Sequence, residues 1–203
     1  MFKFDVTHQK EYSQGEAVLR ALFAPIYIGI PHIFVLLFMG IAVNFAAMIA
    51  WFAILFTGKY PKDIFDFVVG YFRWTARLNT SLLGLSDGYP SFSLEAESTD
   101  KFIFEVDYKE ERSQGQLLLV SFLGVYYILL PHYLVLIFVS IWAGILSWIG
   151  FWSVLFTGKF PPEWHRVIVN YYRWYYRVSL YYFLLTPEKY PPFSGLPEDQ
   201  IVE

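Results

Sequence analysis

Residues 117–156 read LLLVSFLGVYYILLPHYLVLIFVSIWAGILSWIGFWSVLF, about forty residues without Asp, Glu, Lys or Arg, in which His132 is the only ionisable group apart from tyrosines. Residues 17–56, AVLRALFAPIYIGIPHIFVLLFMGIAVNFAAMIAWFAILF, repeat the pattern with Arg20 as the one exception. A helix crossing the hydrocarbon core needs about 20 apolar residues, so about forty suffice for two crossings. One straight helix of that length would overshoot the bilayer about twofold, more than tilt absorbs. Each stretch is therefore expected to form a membrane hairpin, descending over 17–38 and returning over 41–57 in the first case. Small residues at Met39-Gly40, and between Ser140 and Gly144, would form the tips, and Pro31 and Pro131 would kink the descending helices. The rival expectation is a shallow, wedge-like hairpin that never reaches the far side.

The composition agrees with a membrane class. Of the 203 residues 56% are apolar, 22% aromatic and 16% charged, against about 45–50% apolar and about 25% charged for ordinary soluble domains. Hydrophobicity this high excludes disorder. The absence of cysteine excludes disulfides, thiolate metal sites and thiol catalysis. A net charge of −3 argues against a broad nucleic-acid surface. No signal peptide is expected, because the first sixteen residues are polar and alternating; the first apolar stretch would direct its own insertion.

The second half of the chain repeats the first at an offset of one hundred. Ser13-Gln14-Gly15 returns as Ser113-Gln114-Gly115, Pro31-His32 as Pro131-His132, and residues 55–59 (LFTGK) intact as 155–159. Tyr71, Arg73, Trp74 and Arg77 return as Tyr171, Arg173, Trp174 and Arg177; the register then slips by one, so Tyr89-Pro90 matches Tyr190-Pro191. The expected organisation is a first membrane repeat at 1–94, a linker at 95–101, a second repeat at 102–195 and a tail at 196–203. Each repeat opens with an alternating aromatic run, residues 2–6 (FKFDV) and 102–106 (FIFEV), which predicts a short strand outside the membrane. After Lys59 and Lys159 a third element begins at Pro61 and Pro161-Pro162. Its apolar residues fall at steps of three and four, with Arg73 and Arg77 on another face, which predicts an amphipathic helix in the headgroup plane. The fold class expected is an all-α integral membrane protein: a tandem duplicated helical hairpin with one interfacial helix per repeat and short extramembrane strands.

The run from Leu155 to Pro161, the Tyr-x-Arg-Trp-x-x-Arg motif and Tyr190-Pro191-Pro192-Phe193-Ser194 resemble a prokaryotic membrane-protein family, domain of unknown function 4389, in two tandem copies. The first copy departs from the pattern at Ser91, where the second has Pro192. The resemblance implies a prokaryotic membrane location and no known activity.

Arg73, Trp74 and Arg77, with Arg173, Trp174 and Arg177, are the expected contacts for lipid headgroups or anions. Two guanidinium forks at i and i+4 suit phosphate, and a flanking Trp suits the interface. Lys59 and Lys159 would fix the helix ends there. The alternative is that the arginines pair with nearby acids or the linker. His32 and His132 are expected to be structural, donating to carbonyls freed by the adjacent prolines; a bis-His haem or metal role would need the rings to converge across the repeats. Ala42, Ala46 and Ala50, with Ser140 and Gly144, form small-residue ladders expected to pack helices closely. No catalytic constellation is legible. The reading is a small, non-enzymatic accessory or scaffold subunit in the inner membrane, with lipids, other membrane proteins or further copies of itself as partners. It needs no cofactor and contacts no nucleic acid, and its termini and linker face the cytoplasm. The alternative is a lipid or amphiphile carrier using the Arg-Trp helices.

Overall fold

The computed structural model describes residues 1–96, 101–186 and 189–201. Most of the expected linker and the last two residues of the expected tail lie outside the described residues. Helix makes up 68% of the protein, so the all-α class holds, with two short strands. The order is β1 (Phe2–Val6), α1 (Gln14–Ala24), α2 (Ile30–Thr57), α3 (Lys62–Leu82), β2 (Phe102–Val106), α4 (Gln114–Gly124), α5 (Leu130–Thr157) and α6 (Pro162–Tyr182).

The hairpins do not form. A five-residue π-helical segment joins α1 to α2, and another joins α4 to α5, giving two continuous helices, Gln14–Thr57 and Gln114–Thr157. The expected tips lack a helix breaker. Gly40 alone costs about 1 kcal/mol relative to Ala, and its missing side chain makes room for the Tyr71 hydroxyl, 3.2 Å from where a Cβ would stand. Ser140 returns its hydroxyl to the Ile137 carbonyl and stays helical. The left-handed stops come later, at Gly58 (φ 70°) and Gly158 (φ 68°). Both helices are long and apolar enough to cross a membrane. At their starts, Ser13 and Ser113 accept from the backbone N–H groups of Glu16 and Gln116.

The two long helices run antiparallel, each start beside the other's end. Tyr12 N–H donates to the Gly158 carbonyl and Arg112 N–H to that of Gly58, both at 2.8 Å. Between these ends Trp51 Nε1 donates to Ser121 Oγ at 2.7 Å. Each helix buries a single stripe, in the first Arg20, Ala24, Ile28, His32, Leu36, Val43, Ala50 and Ile54. The remaining faces are exposed and apolar.

Helices α3 and α6 form the middle layer, packed on α2 and α5 respectively. They were expected at the membrane surface, yet polar and apolar faces alike are buried: Val68, Phe72, Trp74, Arg77 and Thr80 all lie inside. The reason is a third layer above them. Strands β1 and β2 pair antiparallel with Phe4 opposite Phe104, turning Phe2, Phe4, Phe102 and Phe104 inward and Lys3, Asp5 and Glu105 outward. Phe4 and Phe104 flank the buried Tyr176 ring at 5.8 and 5.5 Å. Each strand lies over the other repeat's helix. Arg173 Nε donates to the Phe4 carbonyl at 2.8 Å, and Arg73 Nε to the Phe104 carbonyl at 2.9 Å.

The alanine ladder is not one packing face: Ala50 is buried, Ala46 half-buried, and Ala42 and Gly144 exposed. Close approach falls instead on Gly40 and on Gly150, where a Cβ would collide with the Phe160 ring.

Candidate functional site

Each repeat gathers its distinctive residues into one cluster, beginning at the proline. Pro31 lacks the N–H that would bond the Tyr27 carbonyl four residues back. Tyr89 Oη donates to that carbonyl at 3.0 Å, and Tyr190 Oη to the Tyr127 carbonyl at 2.7 Å. The carbonyl freed by the proline exists as expected, but a tyrosine takes it and not the histidine. His32 Nδ1 accepts from Trp74 Nε1 at 2.9 Å, and His132 Nδ1 from Trp174 Nε1 at the same distance. Since Nδ1 accepts, the neutral ring carries its proton on Nε2. Phe92 stacks on His32 with centroids 3.9 Å apart, and Phe193 on His132 at 4.0 Å. Both imidazoles are fully buried, each enclosed by aromatic residues of its own repeat. The convergence that a shared axial ligand required is not what the fold builds.

The arginines complete the cluster from above. Arg77 Nη1 donates to the Ser93 carbonyl at 3.0 Å and Nη2 to the Glu95 carbonyl at 3.1 Å. Arg177 donates to the Ser194 and Leu196 carbonyls at 2.6 and 2.7 Å. Arg73 Nη1 reaches the Leu94 carbonyl at 2.6 Å, and Arg173 Nη1 the Gly195 carbonyl at 2.8 Å. Arg77, Arg173 and Arg177 are about 5% exposed, as are Trp74 and Trp174. These five face inward and Arg73 is half-buried; where lipid headgroups were the expected contacts, the described bonds of the four arginines go largely to the loop following each Arg-Trp helix. Burial pushes the Arg173 and Arg177 pKa values down from the ordinary guanidinium range, while Asp5 and Glu198 respectively oppose the shift. Lys59 is exposed and bonds Glu110 at 2.8 Å, and Lys159 is exposed at the opposite end.

The arrangement is a latch: a loop clamped to a long apolar helix through Tyr, Phe, His, Trp and two Arg, made twice. Among the described residues no group of three His, Cys, Asp or Glu converges. Tyr89, Phe92, Tyr190 and Phe193 had no expected role in the site; the repeated Tyr-Pro-x-Phe-Ser was the available signal.

These features define a duplicated helical protein with two long apolar helices and a latched loop per repeat. The chain belongs to the family described as "Domain of unknown function (DUF4389)", whose profile matches residues 16–93 and 124–194, one copy in each repeat. No curated protein and no solved structure matches it.

Proposed function

We propose that the protein is a non-catalytic scaffold or accessory subunit that lies in the plane of one membrane leaflet, immersed by its two long helices. The observation that carries this reading is the place of the charged strands. Arg73 holds the Phe104 carbonyl while its neighbour Trp74 bonds His32, so the sheet lies over the middle of the first long helix. Were that helix to cross the bilayer, the exposed Lys3–Glu105 pair and Asp5 would sit at hydrocarbon depth, at about 2.5–3.5 kcal/mol per charge. In the plane they face water. Length supports the same orientation: 44 residues at 1.5 Å each span about 66 Å, twice the ~30 Å core. The apolar surface runs from end to end, with Leu22, Phe34 and Phe56 in one helix and Phe122, Phe138 and Phe156 in the other all 64–77% exposed. A patch this long exceeds what soluble monomers expose. It leaves the sheet and the described loops beside it on one side of the membrane, open to protein partners.

The cysteine-free chain allows a direct test. Single cysteines at Leu22, Phe38 and Phe52 carrying a fluorophore should be quenched equally by bromolipids of one depth. Probes at Ser13 and Thr57 should label from the same side of sealed vesicles. Labelling of these two from opposite sides would refute the in-plane arrangement.

A further inference from the structure

Duplication supplies an internal control, because one pair of cavities falls at equivalent places in the two repeats. A cavity of about 430 Å³ opens where α1 meets α5, lined by Arg20, Ala21, Gly84, Gly144, Ser147 and Phe151 among others. The matching cavity where α4 meets α2 is about 230 Å³, and the same places hold Val120, Ser121, Leu184, Asn44, Ala47 and Trp51. The backbone turn is shared, left-handed at Gly84 (φ 72°) and Leu184 (φ 59°), so side chains make the difference. In the smaller cavity Leu184 fills the space and Trp51 Nε1 closes across it onto Ser121 Oγ. In the larger one Gly84 and Gly144 leave the space open, and a charge replaces Val120.

That charge is more than nine-tenths buried. Arg20 Nη2 donates to the Ser86 carbonyl at 3.1 Å and lies 3.5 Å from Glu16 Oε2. Its Nε is sealed from solvent with no partner among the described residues. Of the two nearby acids, Glu16 is that ion-pair partner and shares the same oxygen with Gly88 N–H at 2.7 Å, while Asp87 is taken up by Ser13 N–H at 2.9 Å and Gln9 Nε2 at 3.1 Å. A buried guanidinium with unused donors, above an apolar slot between two lipid-facing helices, matches one ligand chemistry. We infer that this cavity binds an anionic acyl amphiphile, its carboxylate or phosphate head against Arg20 and one acyl chain between α1 and α5. The volume sits near the lower end of ligand pockets, about 300–1,000 Å³, which fits one chain and excludes two. This site goes beyond the scaffold reading and uses none of the Arg-Trp residues.

The full chain, delipidated in mild detergent, is titrated with oleate, with oleyl alcohol as the uncharged equivalent, and with dioleoyl phosphatidylglycerol, and read by native mass spectrometry. One oleate or one phosphatidylglycerol per chain is expected, whichever head is preferred, with oleyl alcohol at least tenfold weaker. Arg20→Gln should lose at least tenfold of the anion binding. Gly144→Leu should do the same by filling the slot, and it is a safe second variant because a Cβ at Gly144 meets nothing within 4 Å. Circular dichroism and thermal melting of Gly144→Leu should match the parent. Equal binding of oleate and oleyl alcohol, or undiminished binding by Gly144→Leu, would overturn the assignment while leaving the in-plane arrangement untouched.

Discussion

Replacing Arg177 with Met removes two of the donors that hold the second loop while keeping a long apolar side chain in the same channel. The bonds lost are those to the Ser194 and Leu196 carbonyls, at 2.6 and 2.7 Å. Each is charge-assisted and each worth about 1.5–3 kcal/mol. Arg177 is 5% exposed, so water cannot readily replace it, and the expected loss is about 3–5 kcal/mol. At about 2–4 °C per kcal/mol for a chain of this size, melting should fall by roughly 10 °C. Phe193 should leave the His132 ring, and amides between 189 and 196 should exchange faster. Arg177→Lys should recover less than half of the loss, because one ammonium on a flexible stem does not reproduce the planar fork that spans two carbonyls. The assay is thermal unfolding in detergent followed by tryptophan emission, with hydrogen exchange on the same samples. If Arg177→Met melts within 2 °C of the parent and its loop exchanges no faster, the latch is not what the arginine maintains. Loss of bound anionic lipid at unchanged stability would instead return Arg177 to a headgroup role.

Two further outcomes follow from the same clusters. His165 is 3% exposed and packs edge-on to His8 at 5.1 Å, where the first repeat has Phe65 beside Tyr108 at the same spacing. Burial, with the His8 charge adding to it, lowers the His165 pKa to about 4. The unfolded chain takes up this proton near pH 6.5 and the folded chain only near 4, so stability is present above 6.5 and lost as pH falls to 4, by up to about 3 kcal/mol. His165→Phe should remove most of that decline in denaturant titrations at pH 7.5, 5.5 and 4.5; an unchanged pH profile would contradict it. At His132, Gln keeps an acceptor for the Trp174 indole whereas Leu strands a buried N–H. His132→Leu should therefore melt lower than His132→Gln by the equivalent of about 1–3 kcal/mol, and equal melting would show that the 2.9 Å bond contributes little.

Much of the architecture was legible in the sequence, for identifiable reasons. The duplication, the strands at Phe2 and Phe102, and the stops at Gly58 and Gly158 rest on local signals that tertiary structure had no cause to override. The continuity of the long helices was not legible. About forty apolar residues suit two crossings, a shallow hairpin or one unbroken helix equally, and no local signal in the stretch separates a tip from a continuing turn. The arginines show a deeper limit. Arg173 does meet an acid, Asp5, and the Asn170 side chain, but the bonds that fix the loops go to backbone carbonyls, which accept whatever side chain they carry: Ser93 and Glu95 in one repeat, Ser194 and Leu196 in the other. No side-chain pattern encodes such an acceptor. An arginine meant for a phosphate and one meant for a carbonyl look the same in one dimension. Arg20 stood out as the one charge in its stretch, but its meaning depended on Gly84 and Gly144, distant in sequence and silent in composition.

The crossing of the strands sets the order in which the molecule can be completed. Arg73 has its Phe104 acceptor only once synthesis has entered the second repeat, and Arg173 takes Phe4 from the opening strand. The first half emerging from a ribosome is therefore a structure with a missing lid, its α3 bare on the side that β2 will cover. Cut between the repeats, each half would carry the other's lid and lack its own, and two copies of the first half could exchange strands about a true twofold axis. The present protein behaves as such a pair made permanent by a peptide tether. Being one chain, its two halves need not be identical, and at equivalent places in a shared frame one carries Arg20 and the other Val120.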